Sequence, residues 1–195
     1  MTTTRYKLTD ENDQTRGGCQ WGEGIGHETN GEGNLCGPGW LHVYTDPLLT
    51  VMLNPLHRED DLDTAHLWEV ECEGQRREDL GLKEGWTKVQ AVRRMDMPQV
   101  SREQRIRFGI LCAWEVYRDI VWRAWAKAWL DGARRRGAAQ MAAEAAAAAE
   151  AGAAEAAAGA AWAATGAAKA AESVGGSLNL IALAHEAMTE ATRTL

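Results

Sequence analysis

Cysteine is sparse and carries no motif: Cys19, Cys36, Cys72 and Cys112 fall at wide, irregular intervals with no C-x-x-C. Such spacing reads as the reduced thiols of a cytosolic chain. Long apolar runs are also missing, and no stretch reaches the ~18 strongly apolar residues of a membrane span. The opening "MTTTRYKLTDENDQ" contains no apolar signal segment. The expected location is therefore the cytoplasm, without membrane contact. Positive charge is in deficit as well, at a net −7. That balance removes the global electrostatic case for nucleic acid or an anionic membrane as partner.

What is present is unevenly distributed over the 195 residues. Residues 1 to 137 hold eight of the nine Trp, with 19 basic and 22 acidic residues, while 138 to 195 lean on alanine with 2 basic and 6 acidic. Only the first part can bury a conventional core. The fold class expected is α+β. A small β-rich head domain over 1–132 packs on a long amphipathic helix, and an Ala-rich helical hairpin or coiled-coil oligomerisation segment follows over 133–195. The basic cluster Arg134-Arg135-Arg136 beside that boundary suits cations at a helix C-terminus.

"TRYKLT" reads as a first strand. Asn30-Gly31 suits a type I′ turn and Pro38-Gly39 a type II turn. "WLHVY" alternates Trp40, His42 and Tyr44 with Leu41 and Val43. Asp46 and Pro47 are placed to cap and open a short helix that Pro55 should stop. "HLWEVECEG" sends Trp68, Val70 and Cys72 inward and Glu69, Glu71 and Glu73 outward, and "WTKVQAVRRMDM" reads as a further strand. From Ser101 a capping-box start and a three-and-four periodicity through Ile106, Ile110, Ala113, Tyr117, Val121, Ala124 and Ala128 predict one long helix to Gly132. Its Trp114, Trp122, Trp125 and Trp129 read first as core.

The stretch from Met141 to Glu172 is nearly all alanine, glycine and glutamate. Gly152, Gly159 and Gly166 recur at seven, interleaved with Ala149, Ala156, Ala163 and Ala170. This heptad of small residues predicts a helix paired closely with another helix, from the same chain or a second copy. Trp162, a lone large side chain among alanines, is expected to insert into a partner. "LNLIALAHEAMTEATRTL" then predicts a shorter helix that folds back onto the alanine helix.

Few residue sets suggest chemistry. Gly22, Gly24 and Gly26 lack the flanking strand and helix of a dinucleotide loop. Cys19, His27, Cys36 and His42 have the donor types of a tetrahedral zinc site but no strong spacing, so neither metal nor cofactor is assigned. Trp40, His42 and Tyr44 on one strand face are the better binding candidates.

"YK" at 6–7, "LCGPGWLHVYTDPL", "LWEVECEG" and "KEGWTKVQAVRRM" resemble a phage- and prophage-borne domain of unknown function, over about residues 5 to 131. Members often carry alanine- and tryptophan-rich tails. The resemblance implies a viral setting, hence the host-cell cytoplasm, and no reaction. The same order of elements is similar in outline to ADP-ribosyltransferase-like folds, which would imply roles for Arg5, His42 and Glu69 or Glu71 at a dinucleotide. The function expected is a phage-encoded, non-enzymatic interaction protein, a self-associating binder or inhibitor of a host defence protein, with a phage protein as the other candidate partner. An ADP-ribosyltransferase-like or nucleotide-binding domain is the second reading, and a virion structural component the third.

Overall fold

The computed structural model describes residues 2–15, 17–57, 64–132 and 149–189; for 54–57, 149–158 and 160 it describes the backbone alone. Arg134-Arg135-Arg136 and the start of the alanine run lie outside the described residues. The fold is α+β, and the chain divides into two compact units, Met1–Gln99 and Val100–Leu195. Residues 100–132 thus group with the helices that follow them, because their first helix is the one against which the later helices pack.

In the first unit the strands are β1 (Thr3–Thr9), β2 (Gln14–Thr15), β3 (Cys19–Gln20), β4 (Gly26–Glu28), β5 (Leu41–Val43), β6 (His66–Asp79) and β7 (Lys83–Met95). β2 and β3 form a small hairpin of their own. The main sheet is antiparallel, ordered β1-β6-β7-β4, with β5 also on β7. Tyr6 and Tyr44 exchange backbone hydrogen bonds of 3.0 and 2.8 Å, so the pairing that runs β1-β6-β7-β5 returns to β1. Inside this ring pack Trp21, Val43, Trp68, Val70, Cys72, Trp86, Val89 and Ala91. The alternation read in "HLWEVECEG" is the observed one. On the other face Leu8, Ala65 and Leu67 meet Tyr6, Met95 and Met97.

Helix α1 (Pro47–His57) starts as expected: Asp46 Oδ1 accepts from the amides of Leu48 and Leu49 at 2.8 and 3.1 Å. It does not stop at Pro55 but runs two residues beyond it. The turns differ from expectation. Among the described residues, the non-glycine positions with positive φ are Asp13 and Leu80, so Asn30 does not form a type I′ turn, and Gly39 lacks the positive φ of type II. Gly39 is needed for space, since a Cβ there would collide with the Glu32 carbonyl oxygen. The type I′ turn falls instead at Leu80-Gly81, φ 50° and 76°, closing the β6–β7 hairpin with Leu82 N–H donating to Asp79 O at 2.7 Å.

The second unit contains α2 (Arg102–Val116), α3 (Ile120–Leu130), α4 (Ala149–Ser173) and α5 (Leu180–Ala187). The capping box is formed: Gln104 N–H donates to Ser101 Oγ at 3.2 Å, and Ser101 N–H to Gln104 Oε1 at 2.8 Å. The single long helix is not. Tyr117 turns to an extended conformation, φ −88° and ψ 125°, and Asp119 caps a new helix by accepting from Trp122 N–H at 2.8 Å. The apolar stripe breaks there: Val121 is 75% exposed, and α3 buries Ala126 and Leu130 instead. Both α4 and α5 pack on α2, so α5 reaches the core of the unit by way of α2.

Candidate functional site

Strand parity decides which polar side chains can meet. Arg5 lies opposite Val70 in the β1–β6 register and so shares its inward face. Glu84 pairs with Val43 across β5–β7 and faces inward too. The two meet: Arg5 Nε and Nη2 donate to the Glu84 carboxylate at 2.6 and 3.1 Å, Trp86 Nε1 donates to it at 2.8 Å, and Arg76 Nη2 approaches its other oxygen at 2.9 Å. Glu84 is only 2% exposed. Burial works against its ionisation, but the bonds from Arg5 and Trp86 and the charges of Arg5 and Arg76 outweigh it and hold the carboxyl below its usual range. Arg5 is raised in turn, first by its bond to Glu84. Nearby, Lys7 Nζ donates to His42 O at 2.8 Å and sits 4.5 Å over the Trp21 ring. Burial pushes the Cys72 thiol up to about 12, so it stays protonated. An ionised carboxylate engaged by two arginines is an anchor; general acid–base work needs a group that exchanges protons near neutrality.

The ADP-ribosyltransferase-like constellation does not assemble. Glu69 and Glu71 flank Val70 and therefore face away from Arg5, and Glu69 is bound to Arg93 at 2.6 Å. Glu69 pairs with Tyr6, which pairs on its other side with Tyr44, so His42, two residues from Tyr44, stands two strands away from Glu69. At about 4.8 Å per strand and 3.3 Å per residue that is a separation of roughly 12 Å, too far for the two side chains to meet. The His42 ring nitrogen bonds to Leu35 O, and burial, followed by the Lys83 and Lys7 charges, lowers its pKa despite that bond. Trp40 and Tyr44, expected at a binding face, are 4% and 7% exposed. Arg77 stacks over Trp40 at 4.8 Å, and burial raises the Tyr44 hydroxyl. Both belong to the interior of the unit. Of the zinc-type donors, His27 bonds to Gln20 O, His42 to Leu35 O and Cys36 to Lys83, and among the described residues no three His, Cys, Asp or Glu side chains gather around a common point.

A second polar centre escaped the sequence reading. Asp13, with φ 58°, accepts at Oδ1 from His66 Nδ1 (2.7 Å), Trp68 Nε1 (3.2 Å) and Arg94 Nη2 (2.8 Å), and at Oδ2 from Arg94 (2.6 Å). With Nδ1 donating, His66 Nε2 is the acceptor that faces Arg94 Nη1 at 3.5 Å. The triangle is satisfied on every side and ties the β1–β2 turn to β6 and β7. Its one trace in the sequence is an Asp in a polar turn, a residue type that tolerates the left-handed region.

In the second unit, α4 packs through Ala161, Ala164, Ala167, Ala168 and Ala171. The expected seam lies on the opposite side. Gly159, Gly166 and Ala170 are exposed and Ala163 half-buried, while Ala149, Gly152 and Ala156 have side-chain surroundings outside the described residues. Trp162, 66% exposed, stands on that outward side. Around the α2–α3 break Tyr117, Ile120 and Val121 are 52%, 81% and 75% exposed. Among the described residues no helix is long and apolar enough to cross a membrane. Comparison of the chain with family models, curated proteins and solved structures finds no match.

Proposed function

We propose that this chain is a non-enzymatic interaction protein that self-associates through the outward side of α4 and thereby presents its β-rich unit in more than one copy. The phage resemblance suggests a host or phage protein as the further partner, bound in the host-cell cytoplasm. The observation that carries the reading is the side of α4 on which Trp162 stands. At 3.6 residues per turn, 159, 162, 163, 166 and 170 share one side of a helix, and 161, 164, 168 and 171 the other. The second set is covered within the chain. The first combines one exposed indole with two glycines around which no atom lies within 4 Å of an added Cβ. A knob beside a hollow on one surface is self-complementary: a two-fold axis seats each Trp162 over the glycines of the other copy. Such a coiled-coil seam admits closer approach than the usual 8–10 Å.

The mass of the intact chain by light scattering tests this. A multimer is expected for the native sequence, with Trp162→Ala and the pair Gly159→Leu and Gly166→Leu each shifting it towards monomer while circular dichroism keeps the helix content. A native chain that is monomeric at about 100 μM, in the weak-complex range, overturns the reading.

A further inference from the structure

Cys36 is exposed, and Lys83, at the start of β7, is 7% exposed with its Nζ 3.2 Å from Cys36 Sγ. Among the described residues that sulfur is the one hydrogen-bond partner of the Lys83 ammonium. A buried cation is costly unless its donors are satisfied, and a thiol sulfur is a weak acceptor. This pairing is poor as a stabilising bond. It is good as a reacting pair, because 3.2 Å falls within the ~3–3.5 Å separation of a near-attack geometry.

We propose that Cys36 and Lys83 form a reversible oxidative cross-link, a sulfenamide, when the protein meets a hydroperoxide. Cys36 Sγ attacks the peroxide oxygen, the O–O bond breaks, and the sulfur, oxidised by two electrons, becomes a sulfenic acid while the peroxide is reduced to water or an alcohol. The Lys83 amine, having released one proton to solvent, attacks that sulfur. The S–N bond forms as the S–O bond breaks, and the leaving hydroxide takes the amine's second proton as water. A thiol reductant, itself oxidised to a disulfide, adds two electrons and two protons to regenerate the thiol and the amine, and the amine takes one further proton from solvent. The bond joins positions 47 residues apart. It fastens the loop between β4 and β5 to β7, over the face that holds Trp40 and His42. The other thiols are less suited: Cys72 and Cys112 are buried and Cys19 is half-buried.

The test is intact-mass and peptide mapping of the full native chain after treatment with hydrogen peroxide. A chain about 2 Da lighter, the two hydrogens lost, with the Cys36 and Lys83 peptides joined and both released by dithiothreitol, is the expected result. In Lys83→Arg the same treatment should leave a sulfenic acid at Cys36 that dimedone traps, with no joined peptides. Persistence of the sulfenic acid or its advance to sulfinic acid in the native chain, or a disulfide at Cys36 in place of the linked peptides, overturns the proposal. The mapping on native protein does not depend on any variant folding, nor on its state of association.

Discussion

Asp13 and Arg94 stand 81 residues apart in the chain and 2.6 Å apart in the fold. Beside both lies the Trp68 indole, whose Nε1 donates to the same carboxylate and whose ring Arg94 covers at 5.2 Å. Replacing Asp13 by Ala leaves the donor of a residue only 5% exposed without its acceptor. That costs about 1–3 kcal/mol, and a non-glycine residue without a short polar side chain adds about 1 kcal/mol in the left-handed region. Asp13→Asn keeps one acceptor and tolerates φ 58°. We expect Asp13→Ala to lose about 3 kcal/mol and Asp13→Asn about 1 kcal/mol, read from urea midpoints. Equal losses would show that the carboxylate charge alone matters.

Acid should loosen the first unit in two stages. The folded pKa of His42 lies below its ordinary 6.5 and that of Glu84 below its ordinary 4.5. In each case the unfolded chain binds the proton first as pH falls, so each group's contribution is complete above its ordinary value and is lost through its folded one. Stability should therefore decline gently below about 6.5 and more steeply below about 4.5. His42→Gln should flatten the upper stage only. Glu84→Gln should lower the neutral plateau, because Arg5 and Arg76 lose their shared anion, and flatten the lower stage. Denaturant midpoints from neutral to acid pH check both; an upper stage unchanged in His42→Gln would refute the assignment.

Leu80 occupies a turn position that asks for Asn or Gly. With φ 50° it carries a branched side chain in the left-handed region, at a cost of about 1–2 kcal/mol. Leu80→Asn should raise the melting temperature, with a gain of about 1 kcal/mol. A loss would mean that the half-buried leucine side chain contributes more by packing than its backbone costs.

The sequence exposed some levels of this structure and hid others, for physical reasons. Alternation in "HLWEVECEG" revealed the inward face of β6, and Asp46 and Ser101 announced their helices, because these signals are local. The break at Tyr117 was hidden because apolar residues keep helical spacing across it, and only Asp119, a good N-cap, marks it. Glu84 and Asp13 were missed because each is made a centre by partners 79 and up to 81 residues away. Arg5 was named only through the ADP-ribosyltransferase-like resemblance, together with Glu69 and Glu71, which parity on β6 turns to the face opposite Arg5. The heptad glycines fixed a face of α4, but the chain packs the opposite one, where alanine is just as abundant and periodicity cannot choose between them.

The same substitution at two glycines should have opposite signs. At Gly39 a Cβ would strike the Glu32 backbone and crowd Asn30 Oδ1 at 2.9 Å. Backbone cannot rotate out of the way as a side chain tip can, so Gly39→Ala should cost about 3 kcal/mol. At Gly159, inside α4, an added methyl meets nothing within 4 Å, and alanine is about 1 kcal/mol better than glycine in a helix interior. In dilute solution, where self-association is minor, Gly159→Ala should stabilise the second unit while Gly39→Ala destabilises the first. Paired thermal melts decide it. A destabilising Gly159→Ala even at high dilution would mean that this position is covered within the single chain, and the open side of α4 would then no longer be available to a second copy.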